Sequence, residues 1–135
     1  MVKSTNGGNP TNGATRLTLR IDFPGGRLGP GKVELLEHVS RERSISGAAR
    51  VMGMSYKRAW ELVDEMNRMF REPVVMTLPG RNVAGATEVT VFGLRVVALY
   101  RAAERRAGSA AEAALTELSA AVRTPHRSPR ARREA

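Results

Sequence analysis

A chain of 135 residues with 41% hydrophobic content holds one domain around a modest core, and with aromatics at only 4% that core must be built from Leu, Val, Ala and Met. The lack of cysteine excludes disulfide frameworks, thiolate zinc sites and cysteine nucleophiles and fits a reducing compartment. The net charge of +9 divides into +1 from residues 1–14, +4 from 15–122 and +4 from 123–135, so about half of the excess lies in the two tails and favours a polyanionic partner, nucleic acid before anionic membrane.

In chain order, residues 1–15 are Gly, Asn, Thr and Pro with almost nothing apolar and read as a disordered tail. In "RLTLRIDF", Leu17, Leu19, Ile21 and Phe23 alternate with polar residues, the pattern of a half-buried strand. "PGGRLGPG" breaks the structure, and Pro30 suits the first turn of a helix that offers Val33, Leu35, Leu36 and Val39 for burial. Ser46 is expected to cap a short helix that Gly53 stops, and Ser55 to cap the next. On that second helix Ala59, Val63, Met66 and Phe70 share one face, and Pro73 ends it. "VVMTL" and "TEVTV" flank "PGRNVAGA" as a hairpin with a longish tip. From Val91 the chain is Ala- and Leu-rich and helical, with a possible break near Gly108, and residues 123–135 form a basic, Pro-interrupted, disordered tail.

The expected fold is therefore mainly α with a small antiparallel β-sheet. Three helices followed by a hairpin, which the early strand can join, make a winged helix-turn-helix over residues 16–92, and residues 93–122 form a long C-terminal helix. Ala49, Gly53 and Ala59 stand where two helices joined by a tight turn need small or positive-φ residues, with Ala48, Met52, Met54 and Leu62 apolar around them and Ile45 sealing the entry. In such a unit the start of the second helix enters the major groove. Ser55, Tyr56, Lys57 and Arg58 then lie where hydroxyls and cations reach phosphates and base edges, with Glu61 as an orienter of a cation. Ser46 joins them as a DNA-binding candidate. Trp60 either packs on the hairpin or first helix or contacts the groove, and Tyr56 is a groove residue or a boundary residue bonded to backbone. Arg81 and Asn82 sit among the glycines of the hairpin tip, which either follows the DNA backbone or minor groove or is a turn that binds nothing.

"SISGAARVMGMSYKRAWELVDEMN", a hairpin and "VTVFGLRVVALY" resemble the N-terminal DNA-binding domain of ModE-type molybdate-responsive regulators and, more distantly, the LysR-type winged helix. The likeness covers roughly residues 16–106 and rests on "SIS-AA", "G-SY", "AW" and "MN". It implies a homodimer on palindromic DNA, with the helix from Val91 onward as dimer seam, Ser55 to Arg58 at the groove and the Arg81 loop as wing. Larger members carry C-terminal oxyanion-binding β-domains. Here an Ala-rich helix and an Arg-rich tail stand instead, so no molybdate site is expected in this chain.

Other chemistries fare worse. "GRLGPGKV" nearly matches a phosphate-binding loop, but Val33 replaces the Mg²⁺-binding hydroxyl and Pro30 removes an N–H. His38 and His126 have no ligand at metal spacing, and the Met set of 52, 54, 66, 69 and 76 falls mostly on core faces. No nucleophile or acid–base set assembles, so neither an enzyme nor a cofactor is expected. The helix "VVALYRAAERRAG" could lie on a membrane surface, but a dimer seam uses the same apolar face. No apolar run spans a bilayer and the N-terminus lacks a signal-peptide core, so the expected location is cytoplasmic and nucleoid-associated. The function expected is a homodimeric, sequence-specific transcriptional regulator on an inverted-repeat operator. A winged-helix adaptor between proteins and a non-specific chromosome-coating protein are the alternatives.

Overall fold

A computed structural model describes residues 14–77 and 86–123. They carry β1 (Ile21–Phe23), β2 (Gly26–Leu28), α1 (Pro30–Glu42), α2 (Ile45–Met52), α3 (Tyr56–Met69), β3 (Val75–Thr77), β4 (Thr87–Val89), α4 (Val91–Ala110) and α5 (Glu112–Ala121). The fold is mainly α with small antiparallel β-structure, as the sequence leads one to expect. The described residues divide into two compact units, one within 17–106 and a second formed by residues 14–16 with 107–123.

In the larger unit the apolar stripes of α1, α2 and α3 meet. Val33, Leu35, Leu36 and Val39 are sealed from solvent on α1, as are Ala59 and Met66 on α3, with Val63 nearly so. Ala48 and Ala49 of α2 are small enough to let the three helices close on one another. The early strand departs from expectation. It is only three residues long, and it pairs with β2 across Pro24-Gly25 instead of joining the later hairpin. The segment read as a plain break returns as a strand because its Leu28 is buried against the core, whereas Leu17 and Phe23 stay exposed. β3 and β4 pair with each other, Val75 opposite Val89. The place beside β4 is taken by the α1–α2 junction, where Ser44 bridges to Ala86 and the Thr87 N–H donates to the Arg43 carbonyl at 3.1 Å. Arg43 adopts the left-handed conformation, φ 59°, which ends α1 where its carbonyl meets Thr87 of β4.

Pro73 does not end α3. The helix already stops at Met69, and Phe70 is extended. The early stop frees the chain to return along α3, where Asn67 receives it. Its carbonyl oxygen accepts from the N–H of Val74 at 2.7 Å and of Val75 at 3.3 Å, while its amide donates to the Val75 carbonyl at 3.1 Å. Phe70 then sits edge-on between Phe23 and Phe92, with centroids 5.9 and 5.7 Å away.

The start of α4 is bound to the same hairpin. The Thr90 hydroxyl donates to the Pro73 carbonyl at 2.7 Å and accepts from the Gly93 N–H at 2.8 Å, as an N-cap does. Further along, buried Tyr100 donates to the Leu19 carbonyl at 2.6 Å. Burial, then the Glu104 carboxylate, push its phenol above the ordinary 10.0. Arg101 reaches Glu37 of α1 with two nitrogens, at 2.8 and 3.0 Å, and Glu104 at 2.8 Å. The hydrogen bonds to Glu37 lead the contacts that hold its guanidinium pKa above the usual value.

In the second unit, α5 runs from Glu112 to Ala121, and the hydroxyls of Thr15 and Ser119 lie 2.6 Å apart. α4 passes through Gly108 without a break, and the interruption falls at Ala111, which has φ −92° and ψ 0°. Among the described residues no helix is long and apolar enough to cross a membrane.

Gly93 is the tightest point. A Cβ there would collide with the Val74 carbonyl oxygen and stand 2.7 Å from Val89 Cγ1, whereas a Cβ on Gly108 would meet nothing within 4 Å. Gly93→Ala should lower unfolding stability in urea by about 1–3 kcal/mol. Gly108→Ala should raise it by up to about 1 kcal/mol, because it removes only the entropic penalty of a helical glycine.

Candidate nucleic-acid interface

The candidate surface is the outward side of α2 and α3. Its geometry begins in the turn between them. Gly53 takes φ 70°, so its N–H reaches the Arg50 carbonyl at 3.2 Å and the Met54 N–H reaches the Ala49 carbonyl at 3.0 Å. These are the two bonds of a Schellman ending, and the left-handed residue they require is most cheaply a glycine. Two residues later Ser55 is extended, and its hydroxyl accepts from the Arg58 N–H at 3.0 Å, so it caps α3 as expected. The serine that caps α2 is Ser44, not Ser46. Ser44 is extended and accepts from the Gly47 N–H at 2.9 Å, which starts the helix at Ile45. The reason is packing, since Ile45 is buried and must already lie on the helical stripe. Ser46 remains exposed in the first turn of α2.

On α3, Ala59, Leu62, Val63 and Met66 face the core. The start of the opposite side carries Tyr56, Lys57, Trp60 and Glu61, all exposed. Trp60 retains 48% of its surface and Tyr56 55%, so neither is a core residue. About half of the Trp60 surface is covered and half is open to solvent. Arg58 lies exposed on the other flank. Lys57 Nζ is 3.1 Å from Glu61 Oε2 one turn on, and Arg68 pairs with Asp64 at 2.9 Å. Such exposed pairs add little stability, but they fix where the charges stand. Among the described residues, then, the structure gathers Ser55, Tyr56, Lys57, Arg58, Trp60 and Glu61 at one helix start, with Ser46 on the neighbouring helix. Arg81 and Asn82 lie outside the described residues.

The near-match to a phosphate loop has a structural use. Lys32 donates to the Arg27 carbonyl at 2.7 Å and pairs with Glu65 of α3 at 3.2 Å, tying α1 to α3. The His38 ring meets Arg41 at 3.1 Å, and no group of three metal-ligating side chains occurs among the described residues. The Met reading holds for Met66, which is buried, and for Met52, Met54 and Met69, which pack on the core, but Met76 is exposed on β3.

Two contributors went unseen in the sequence. Ser44 was legible, because the apolar spacing Ile45, Ala48, Ala49, Met52 starts at Ile45 and its cap must precede it. Asn67 carried no local signal for its bonds to a strand seven and eight residues away.

No family model matches the chain. It is 42% identical over 94 residues to a protein named molybdenum transport protein ModE in Azotobacter vinelandii, covering 67% of this chain and 35% of that one. Its relatives are ModE and Mop proteins. The molybdenum-pterin-binding protein MopB of Rhodobacter capsulatus is 37% identical over 103 residues, 76% of this chain and 38% of the other. The DNA-binding transcriptional dual regulator ModE of Escherichia coli is 35% identical over 71 residues, 53% and 27% of the two. The chain thus spans roughly a third of the length of these relatives.

Ser55→Ala removes the acceptor that holds the start of α3 and should cost about 1 kcal/mol in urea unfolding. Ser46→Ala, with no capping role, should leave the midpoint unchanged.

Proposed function

We propose that the chain is a sequence-specific DNA-binding transcriptional regulator acting as a homodimer. Residues 55–70 form the recognition helix in the major groove, and the hairpin of residues 74–91 is the wing on the backbone or minor groove. The observation that carries the reading is the helix start itself. A glycine turn and a serine cap hold α3 so that a phenol, an ammonium, an indole and a carboxylate project together while its other side is buried. Hydrogen-bonding and apolar groups on one exposed helix face are what base edges require. The E. coli relative is named as a DNA-binding transcriptional regulator, which supports the same reading.

The winged unit comprises residues 16–92, followed by a dimerisation helix over 93–122, with Arg81 and Asn82 at the wing and residues 123–135 as a basic tail. Exposed Leu94 and Leu99 on α4 supply apolar surface for a second copy. Ser46, exposed in the first turn of α2, joins the DNA-binding residues. Nothing in this reading needs an oxyanion or a metal ion, although the Azotobacter and Rhodobacter relatives carry molybdenum in their names.

Selection of bound fragments from genomic DNA at near-physiological salt tests it. An enriched inverted repeat with half-sites about 34 Å or a multiple apart is the expected result. Lys57→Ala should then weaken binding to that site by about 1–3 kcal/mol if the ammonium reads a base. If it meets phosphate alone, the loss should be uniform across sequences, with a salt slope smaller by about one. Tight binding without enrichment would contradict a specific regulator and favour a coating role. No binding would favour an adaptor between proteins.

A further inference from the structure

The outward side of α3 holds two parallel rows. One is aromatic, Tyr56 and Trp60, four residues apart and both about half exposed. The other is charged and largely self-satisfied, Lys57 with Glu61 and Asp64 with Arg68. Over its whole length α3 carries three cations, Lys57, Arg58 and Arg68, and three carboxylates, Glu61, Asp64 and Glu65, so its formal charge is zero in a chain of +9.

That balance matters for what the helix can recognise. Attraction to phosphates comes from cations that displace counterions, and two of the three on α3 already face carboxylates. The helix is therefore a poor source of sequence-independent affinity. Its distinctive surface is the aromatic row. Among the described residues neither ring stacks on another aromatic, since the ring pairs join Phe23, Phe70 and Phe92. Each ring keeps about half of its surface open, and covering that apolar area on binding is favourable. The edges of the major groove present donors, acceptors and a single apolar group, the C5-methyl of thymine.

We infer that Tyr56 and Trp60 read thymine methyl groups in the major groove, and that this row, with the Lys57–Glu61 pair beside it, sets sequence preference while phosphate attraction arises elsewhere on the protein. The inference rests on the DNA-binding reading above. Four residues advance a helix by about 6 Å, and successive base pairs rise by about 3.4 Å. The two rings accordingly suit thymines within about two base pairs of each other in each half-site.

The probe is the duplex enriched by selection, with thymines replaced one at a time by deoxyuridine, which deletes the methyl and leaves every hydrogen-bonding group. The protein is unaltered, so folding is not in question. Binding is read by anisotropy of labelled duplex. One or two positions per half-site should lose about fourfold in affinity, the worth of one buried methyl group. Trp60→Ala should abolish the difference between thymine and deoxyuridine at one of them and leave the salt slope unchanged. If no deoxyuridine substitution weakens binding to a specific duplex, the methyl reading is wrong and the regulator stands. An equal loss on both duplexes in Trp60→Ala would also overturn it. If no specific duplex emerges, the regulator reading fails and this inference with it.

Discussion

The left-handed turn at Gly53 governs the geometry of the candidate interface. It closes α2 with both bonds of a Schellman ending and delivers the chain, two residues later, to an extended Ser55 that caps α3. Because Ala48 and Ala49 on α2 and Ala59 on α3 are small and buried, the helices close on a shared core without displacing each other. With Ala59, Val63 and Met66 committed to that core, helical periodicity alone sends Lys57, Glu61, Asp64 and Arg68 outward. One residue of slippage would bury a charge. The rotation of α3 is thereby as well specified as the register of a half-buried strand.

A second set of bonds keeps the hairpin at the end of that helix. Asn67 binds the backbone of Val74 and Val75, Thr90 binds Pro73, and Gly93 admits the Val74 carbonyl where any side chain would collide. The Thr87 N–H reaching Arg43 fixes the other strand to the α1–α2 junction. The hairpin is thus held by the elements that present α3, and a shift in one would carry to the other. Arg101 and Tyr100 anchor the first part of α4 to α1 and to Leu19.

Much of this was legible in the sequence, for a physical reason. The stripes on α1 and α3 and the stop at Gly53 are local patterns, in which a residue's neighbours in sequence are its neighbours in space. Glycine after a helix and serine before one are strong local preferences, met here by Gly53 and Ser55. The failures involve partners distant in sequence. Nothing near "RLTLRIDF" says whether that strand pairs with the later hairpin or folds back on Arg27 and Leu28. Arg43 is a non-glycine residue in a left-handed conformation, so no local preference marked the junction that occupies the place beside β4. In the candidate site the outward direction of Lys57 and Glu61 followed from periodicity. The exposure of Trp60 did not, because an indole serves a core or a surface equally well.

The central claim is that the exposed start of α3 is the surface that meets DNA. Backbone amide chemical shifts of the full chain, followed by NMR while a selected duplex is added, test it directly. The account predicts that the largest changes fall at residues 44–46 and 55–61, with the buried positions of α1 little affected. Changes confined to α4, α5 or the basic tail, with residues 55–61 unmoved, would contradict it.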